Sequence, residues 1–299
     1  MSQTVPVAVP RKGRPLEAVF ERLATITDVE ALADSVVSTL RYEKAVTKGD
    51  QTADRGLYDR LAAYSETAEA TAAEYTLLRD DRDGYPRRIV FDSATVSIGE
   101  YDLRLIGREE PFRSLRTHEF ALGFDSADLV LEEVVELRPA GIGSIDEINA
   151  RIDPKDTDVA VVTGLGDTVY HTLMATPEVL GDGDTLDRAF VDRHDGPLCI
   201  SPRYERLVEA VLGTDATDGI EFVYPGDDSE EEAAIADTGL GVYLTVTGST
   251  ARDHGLVLGE HLFPSETVLM ENTAETGAAA ERLTNLLTEP AIETELRVD

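Results

Sequence analysis

The sequence predicts an α/β protein, because short apolar runs that suit strands alternate with amphipathic segments that suit helices. The chain has 299 residues, enough to bury a sizeable core in one large domain or in two lobes. No apolar run approaches the ~20 residues that a membrane helix requires, and the N-terminus has no apolar signal-peptide core. We therefore expect a soluble, cytoplasmic protein.

The first third of the chain predicts strands around a helical segment. Residues 5–9 form a short strand, 15–23 begin a helix with one apolar face, and 25–78 keep a helical pattern. Residues 88–97 and 102–106 are strands, and the alternation over the second is typical of an exposed sheet edge.

The later elements alternate in the same way. They are a helix at 111–119, a strand at 120–124, a helix from Ser126, central strands at 159–162 and 198–200, a loop-rich stretch at 164–183, a helix at 202–212, a strand at 219–224, a helix at 227–237 and a final helix after Asn272. Residues 138–143 contain Gly and Pro, and we interpret them as a crossing between lobes.

The charge of the chain is extreme. Asp and Glu total 59 against 27 Lys and Arg, a net charge of −32, and Lys occurs only at positions 12, 44, 48 and 155. This composition favours the salt-rich cytosol of a halophile, where a Debye length of about 3 Å at 1 M salt screens self-repulsion. An acidic mesophilic protein is the alternative. Nucleic acid is not an expected partner, because no basic face is evident.

Cys199 is the single cysteine and lies in an apolar run. One cysteine cannot form a disulfide within the chain, which fits a reducing interior. Its neighbours favour a buried strand thiol over a catalytic nucleophile. The five histidines show no metal-ligand spacing.

The most informative segment reads Val-Thr-Gly-Ser-Thr-Ala-Arg over residues 246–252. Gly248 permits a tight turn, and Thr247, Ser249 and Thr250 add hydroxyls beside exposed backbone N–H groups. Such a loop can surround a phosphate with neutral donors, and Arg252 can add a charge-assisted hydrogen bond. The alternative is a plain turn that joins a strand to a helix.

The flanks of this segment and two distant stretches resemble a known family. Upstream stands Glu-Glu-Glu-Ala-Ala-Ile-Ala-Asp, ending at Asp237, and downstream Ser-Glu-Thr-Val-Leu-Met begins at Ser265. Pro-Arg-Lys-Gly-Arg-Pro-Leu begins at Pro10, Gly-Arg-Glu-Glu-Pro-Phe at Gly107 and Leu-Gly-Phe-Asp-Ser-Ala-Asp-Leu-Val-Leu-Glu at Leu122. Taken in chain order, these segments are similar to those of the ATP phosphoribosyltransferases of histidine biosynthesis.

The resemblance implies the two-lobed architecture of type II periplasmic binding proteins. Lobe I then holds residues 1–138, completed by 259–299, and lobe II holds 139–258 with the phosphate loop. The family is usually shorter where this chain has 25–78, so we interpret that segment as an N-terminal helical insertion, either a solvated hairpin or a capping or partner-binding element. The short stretch after Asn272 implies the family's short form, which usually depends on a regulatory subunit.

The resemblance also implies a reaction. The family joins N1 of the adenine of ATP to C1 of phosphoribosyl pyrophosphate (PRPP), releases pyrophosphate and uses Mg²⁺. It implies that Lys12, Arg14 and Arg108 contact phosphates, and that residues 247–250 with Arg252 hold the 5′-phosphate of PRPP. No covalent nucleophile is required, which agrees with the lack of a Ser/His/Asp or Cys/His arrangement.

Each of these groups also has an interpretation that involves no ligand. Lys12 and Arg14 also fit a solvated basic cluster, and Arg108 also fits a surface ion pair with Glu109 or Glu110. The three glutamates at 230–232 fit the acidic start of a helix better than a Mg²⁺ site, so no metal ligand is assigned.

The acids of the family are changed in this chain. The family has Asp residues four and eight positions before the Thr of its loop, where Tyr243 and Gly239 stand here. In the family the nearer Asp contacts the ribose hydroxyls. Asp237 enters the register only with a two-residue insertion at 239–241, and with it Asp237 is a candidate catalytic residue. Asp125 and Ser126 replace a Thr-Gly pair at which backbone approaches ligand.

Three functions therefore follow from the sequence. The first is a divergent ATP phosphoribosyltransferase that uses Mg²⁺, with PRPP and ATP as ligands. The second is a PRPP transferase with another acceptor. The third is a non-catalytic paralogue that binds a phosphorylated ligand or regulates a partner. We take the first as the prediction.

Overall fold

The computed structural model describes residues 2–65, 72–79, 87–138, 142–181, 183–226 and 230–290, together with 292, 294 and 296. The strands are β1 (Gln3–Pro10), β2 (Glu74–Arg79), β3 (Arg87–Ile98), β4 (Tyr101–Arg108), β5 (Leu122–Ser126), β6 (Val159–Gly164), β7 (Val169–Ala175), β8 (Gly196–Cys199), β9 (Ile220–Val223), β10 (Leu240–Thr245), β11 (Val257–Ser265) and β12 (Thr267–Asn272). The helices are α1 (Arg14–Ile26), α2 (Glu30–Lys48), α3 (Leu57–Ser65), α4 (Pro111–Arg116), α5 (Ala127–Glu133), α6 (Ile145–Ala150), α7 (Pro177–Leu180), α8 (Arg188–Val191), α9 (Glu205–Leu212), α10 (Thr214–Thr217), α11 (Glu231–Thr238), α12 (Ser249–Asp253) and α13 (Ala278–Thr288), with a 3-10 turn at Pro202–Tyr204.

The chain divides into two compact units with one sheet each. Unit 1 comprises Met1–Ser126, Thr157–Gly166 and Thr267–Glu293, and unit 2 comprises Ala127–Asp156, Asp167–Glu266 and Thr294–Asp299. The boundaries differ from the expected 138/139 and 258/259, since strands β5 and β12 pair with each other and place both ends of the division at their own termini.

Unit 1 contains a seven-stranded sheet in the order β2-β3-β4-β1-β5-β12-β6. The first strand, β1, lies parallel to both β4 and β5, while β12 runs antiparallel to β5 and β6. The expected apolar face of α1 is present, because Leu16, Val19, Phe20 and Leu23 are fully buried. Phe20 meets Phe91 of β3 edge to face, with ring centroids 5.6 Å apart.

Unit 2 contains a five-stranded sheet in the order β11-β7-β10-β8-β9. Its central strand, β10, is antiparallel to β7 and parallel to β8. On one side of β10 a small apolar cluster forms from Met174, Cys199, Ile235, Ala251 and Leu256. Cys199 is 1% exposed, as its apolar neighbours predicted.

The α/β class is confirmed, but four local expectations are wrong. The segment 25–78 is not helical throughout, since β2 forms an antiparallel pair with β3, and its residues 66–71 lie outside the described part of the chain. Strand β4 is not an edge, because it lies between β3 and β1. Strand β6 is not central, because it ends the order of the described strands and its neighbour there is β12. The stretch 164–183 contains β7, whose polar His171 and Thr172 conceal the strand.

No helix within the described residues is both long and apolar enough to cross a membrane.

Candidate functional site

The carboxyl end of β1 leads directly into the start of α1. Gly13 occupies this junction with a φ of +82°, in the left-handed region that favours glycine. Pro15 lies in the first turn of the helix, where its missing N–H costs nothing. Lys12 and Arg14 therefore flank a turn at the N-terminus of a 13-residue helix, whose dipole favours anions.

Arg108 lies at the same edge of the sheet. It ends β4, and the parallel register sets it opposite Pro10 of β1. Its Nε is 3.8 Å from Oε2 of Glu119, and its guanidinium carbon is 4.8 Å from the centroid of the Phe120 ring. The structure thus brings Lys12, Arg14 and Arg108 to one edge, and among the described residues Arg108 forms its ion pair with Glu119.

A cavity of about 610 Å³ opens beside the β1–α1 junction. The start of α1, one face of α2 and the start of β3 line it. Its cationic lining residues are Lys12, Arg14, Arg41, Lys44, Lys48 and Arg88. Three of the four lysines of the chain therefore meet in one cavity. We call it the cation cavity.

The two acids that line the cation cavity are already paired. Glu17 accepts a 2.6 Å hydrogen bond from Arg41. Glu43 accepts two hydrogen bonds of 2.8 Å from Arg60 and one of 2.9 Å from the Tyr64 hydroxyl. The hydrogen bond to Glu43 raises the pKa of Arg60. The cavity lining consequently keeps an excess of positive charge.

Burial lowers the pKa of Arg88 in the wall of the cavity, and the charge of Glu109 opposes this shift only in part. A lowered arginine pKa means that the charged guanidinium has lost hydration on entering the wall. The neighbouring Ile89 and Val90 are almost fully buried, so water is displaced from that side. An anion in the cavity would replace the lost hydration.

The Thr-Gly-Ser-Thr loop lies in unit 2, between β10 and α12. Gly248 adopts φ +68° and ψ 15°, and a Cβ there would come within 2.2 Å of Cδ1 of Leu258. The hydroxyls of Thr247 and Ser249 are 3.0 Å apart, and the Ser249 N–H lies 3.4 Å from the Thr247 oxygen. A side chain at this position would be strained by the positive φ and would displace the end of the Leu258 side chain, so the turn favours glycine.

Arg252 closes the loop on itself. Its guanidinium donates hydrogen bonds of 2.8 and 3.1 Å to the carbonyl of Thr247 and one of 3.2 Å to that of Gly248. Within the described residues, the backbone N–H groups of Thr250 and Ala251 have no acceptor. The loop therefore offers backbone donors, and Arg252 holds the carbonyls of the loop away from them.

Asp237 lies apart from the loop. It is exposed near the C-terminal end of α11, just before β10 begins, whereas the loop follows the other end of that strand. Six residues of strand separate the two places by about 20 Å. The two-residue register shift does not bring Asp237 to the loop, because the left-handed Gly239 ends the helix directly before the strand.

Tyr243 faces α11 from β10. Burial, followed by the charges of Glu231 and Glu232, raises its pKa, so the phenol stays protonated. Glu230, at the start of α11, lies 3.6 Å from His254. Glu230 thus lies close to the residue that follows α12, the short helix that begins at the loop.

Asp125 of the altered middle motif has a structural partner. Its carboxylate is 5% exposed and accepts hydrogen bonds from the N–H groups of Phe112, at 3.1 Å, and Ser126, at 2.9 Å. The charge therefore stabilises the N-terminus of α4.

Sequence analysis missed four cavity residues: Arg41, Lys44, Lys48 and Arg88. The rarity of lysine was the available signal, since two of these are among the four lysines of the chain. Within the described residues, no group of three or more His, Cys, Asp or Glu side chains is arranged to hold a metal ion.

The family model of halobacterial ATP phosphoribosyltransferases matches residues 1–298. No curated protein sequence matches the chain. Among solved structures, the ATP phosphoribosyl transferase HisG:HisZ complex of Thermotoga maritima shares 14% identity, covering 95% of this chain and 97% of that chain with a TM-score of 0.44. A periplasmic substrate-binding protein of an ABC transporter from Coxiella burnetii shares 10% identity, covering 96% and 93% with a TM-score of 0.40.

The family match spans nearly the whole chain, including both units and both anion-binding candidates. With it, the predicted fold class, an α/β fold like that of type II periplasmic binding proteins, is confirmed. The chain belongs to the halobacterial ATP phosphoribosyltransferases, a family of transferases of histidine biosynthesis.

Proposed function

We propose that this protein transfers the phosphoribosyl group of PRPP to N1 of the adenine of ATP and releases pyrophosphate, the first step of histidine biosynthesis. One observation carries the proposal beyond family membership. In a chain of net charge −32, three of four lysines line one cavity where β1 meets α1. A protein that binds polyanionic substrates needs such a concentration of cations, and an acidic surface does not otherwise produce it.

The proposed roles follow from the chemistry of each site. The bond from C1 of the ribose to the pyrophosphate oxygen breaks while the bond from adenine N1 to C1 forms. Negative charge grows on the departing pyrophosphate, and Lys12 and Arg14 at the start of α1 stabilise it, with Arg108 at the same edge. The N–H groups of Thr250 and Ala251 and the hydroxyls of the loop hold the 5′-phosphate, in a shape that Arg252 maintains.

We leave Asp237 out of the proposed catalytic groups, because the length of β10 separates it from the loop. The Asp237→Asn variant, which keeps the shape of the side chain, is expected to retain activity within about threefold. A loss of a hundredfold or more would restore Asp237 to the site.

Mg²⁺ fits this site as a companion of the substrate. Mg²⁺ is often bound through one or two carboxylates plus substrate phosphates rather than in an all-protein cage. The described residues contain no three-ligand cluster, so an ion bound here would need substrate oxygens among its ligands. When bound, the ion neutralises charge on the leaving group.

We also propose that the protein works in the cytoplasm, at high salt, and as an oligomer with a regulatory subunit. The family and the acidic composition support this setting. Addition of a candidate subunit to the purified chain, followed by light scattering and turnover, tests it.

The deciding experiment is turnover of ATP and PRPP with Mg²⁺ in molar KCl, with pyrophosphatase present and phosphoribosyl-ATP followed by mass spectrometry. The Lys12→Ala variant is expected to lose about 10- to 100-fold in rate, since a contact to a charged group contributes about 1.5–3 kcal/mol. Lys155→Ala is the matched control, because Lys155 is an exposed lysine of unit 2. Equal loss in both variants would remove the assignment of Lys12.

The absence of carboxylates at Gly239 and Tyr243 favours a second candidate, a non-catalytic protein that binds a phosphorylated ligand. In that case no product forms with or without a regulatory subunit, while PRPP still raises the melting temperature. A PRPP transferase with another acceptor predicts pyrophosphate release only when that acceptor is added.

A further inference from the structure

Helix α2 presents a row of cations to the cation cavity. Arg41, Lys44 and Lys48 are spaced by three and four residues, which aligns them on one helical face. At 1.5 Å per residue the row spans about 10 Å. It belongs to the 25–78 segment, to which family resemblance assigned no chemistry.

Buried contacts of α2 fix the orientation of this helical face. Glu43, on the same helix, is 2% exposed and receives two hydrogen bonds from Arg60 of α3 and one from Tyr64. Leu40 and Thr47 are also buried. Because rotation of α2 would break the Glu43–Arg60 ion pair, the three cations stay directed toward the cavity.

Lys44 stands out in a chain so rich in acids. Within the described ranges no carboxylate lies within ion-pair distance of Lys12 or Lys44, although Asp and Glu outnumber Lys and Arg by 59 to 27. Arg41, by contrast, is paired with Glu17 at 2.6 Å. Because no carboxylate of the described residues neutralises Lys12 or Lys44, their charges can bind an anion from solution.

We propose that α2 provides a subsite for a chain of linked phosphates, in which Arg41, Lys44 and Lys48 face Arg88 across the cation cavity and continue the cations at Lys12 and Arg14. A row about 10 Å long suits an elongated polyphosphate better than a single phosphate group. The buried Leu40, Ile89 and Val90 displace water from the wall, which strengthens each contact. Such direct contacts persist in molar salt, where a Debye length of about 3 Å removes long-range attraction.

The polyphosphate chain has two possible sources, the triphosphate of the substrate nucleotide or a separate polyphosphate effector. The binding itself does not depend on the proposed reaction, but its identification with the substrate nucleotide rests on the proposed function. Competition with ATP distinguishes the substrate nucleotide from a separate effector.

The test is isothermal titration calorimetry of the full chain with inorganic tripolyphosphate and with orthophosphate in 0.2 M KCl. Tripolyphosphate is expected to bind at least about tenfold more tightly than orthophosphate. The double variant Lys44→Gln/Lys48→Gln should weaken tripolyphosphate about tenfold or more, while Lys44→Arg/Lys48→Arg and the control Lys155→Gln stay within about threefold of wild type. Melting temperatures of all variants show whether each is folded.

Unchanged tripolyphosphate affinity in the folded Gln double variant would overturn the proposal, as would an equal loss in Lys155→Gln or equal affinity for orthophosphate. If ATP displaces tripolyphosphate and the Gln double variant raises the KM for ATP with little change in kcat, the subsite holds the substrate nucleotide. If tripolyphosphate binds without ATP competition and alters turnover, it holds an effector. Absence of turnover would defeat the proposed function but leave the calorimetric result intact.

Discussion

The cation cavity of unit 1 and the loop of unit 2 are two candidate anion sites that are built from different chemical groups. The cavity has six cationic side chains, which come from the β1–α1 turn, α1, α2 and β3. The loop presents backbone N–H groups and hydroxyls, and its one arginine, Arg252, donates to the carbonyls of the loop. In the first site charge comes from the ligand-facing side chains, and in the second a charged side chain supports neutral donors.

The two candidate sites should therefore be sensitive to different kinds of substitution. Side chains of the cavity can be exchanged one at a time, since each makes its own contact. The loop depends on a backbone shape that favours glycine at position 248, so we expect one added methyl group there to disturb several of its donors together.

The largest effect is expected from the ion pair beneath the cavity. Arg60→Ala leaves Glu43 buried without its guanidinium partner, which should reduce the free energy of unfolding by about 3 kcal/mol or more. Denaturant unfolding measures the loss. Arg41→Ala breaks the exposed pair with Glu17 and should cost less than about 1 kcal/mol. Equal losses in the two variants would mean that the Glu43 pair has no special role.

The Gly248→Ala substitution should reduce the affinity of the loop for a phosphate group. Its positive φ costs an L-residue about 1–2 kcal/mol, and the new methyl group meets Leu258. The matched control is Gly255→Ala, which has a φ of +74° at the far end of α12 and no atom within 4 Å of its Cβ. Both variants should lose stability, but only Gly248→Ala should lose about tenfold in affinity for ribose 5-phosphate. The assignment of the loop fails if both bind equally.

The ligand affinities of the cation cavity and of the loop should depend differently on salt concentration. Between 0.2 and 1 M KCl, tripolyphosphate affinity is expected to fall about tenfold, because its binding relies on charge, while ribose 5-phosphate affinity at the loop should change about threefold or less. Calorimetry at the two salt concentrations gives both slopes. Parallel slopes would remove the distinction drawn between charged and neutral donors.

The smallest effect concerns Cys199, beside the loop's helix in the apolar cluster. Burial raises the pKa of this thiol above its ordinary value of 9.0. The unfolded chain therefore loses the proton first, so this contribution to stability is present below about pH 9 and declines as pH rises above it. Cys199→Ala should reduce the fall in unfolding free energy between pH 8 and 10 by under about 1 kcal/mol. An unchanged pH profile would show that the thiol does not contribute.

Much of the candidate site could be predicted because its residues are close together in the sequence. Lys12, Gly13 and Arg14 are consecutive, and the loop is one short run around Gly248. The role of Arg252 was not predictable, because an arginine near a loop can face a ligand or the backbone with equal ease. Asp237 was misplaced since residue counting ignores that a strand carries the chain about 3.3 Å per residue away from its start.

The α/β class, the family and two places where candidate phosphate-binding residues concentrate could be predicted from the sequence alone, because alternation, glycine spacing and charge are local properties of the chain. Tertiary structure alone decided that Arg41, Lys44, Lys48 and Arg88 join Lys12 and Arg14 around one cavity. It also decided that β4 is interior and β6 is an edge. The physical reason is the same in each case: strand pairing and helix packing bring together residues far apart in sequence, and no local pattern encodes which neighbours they acquire.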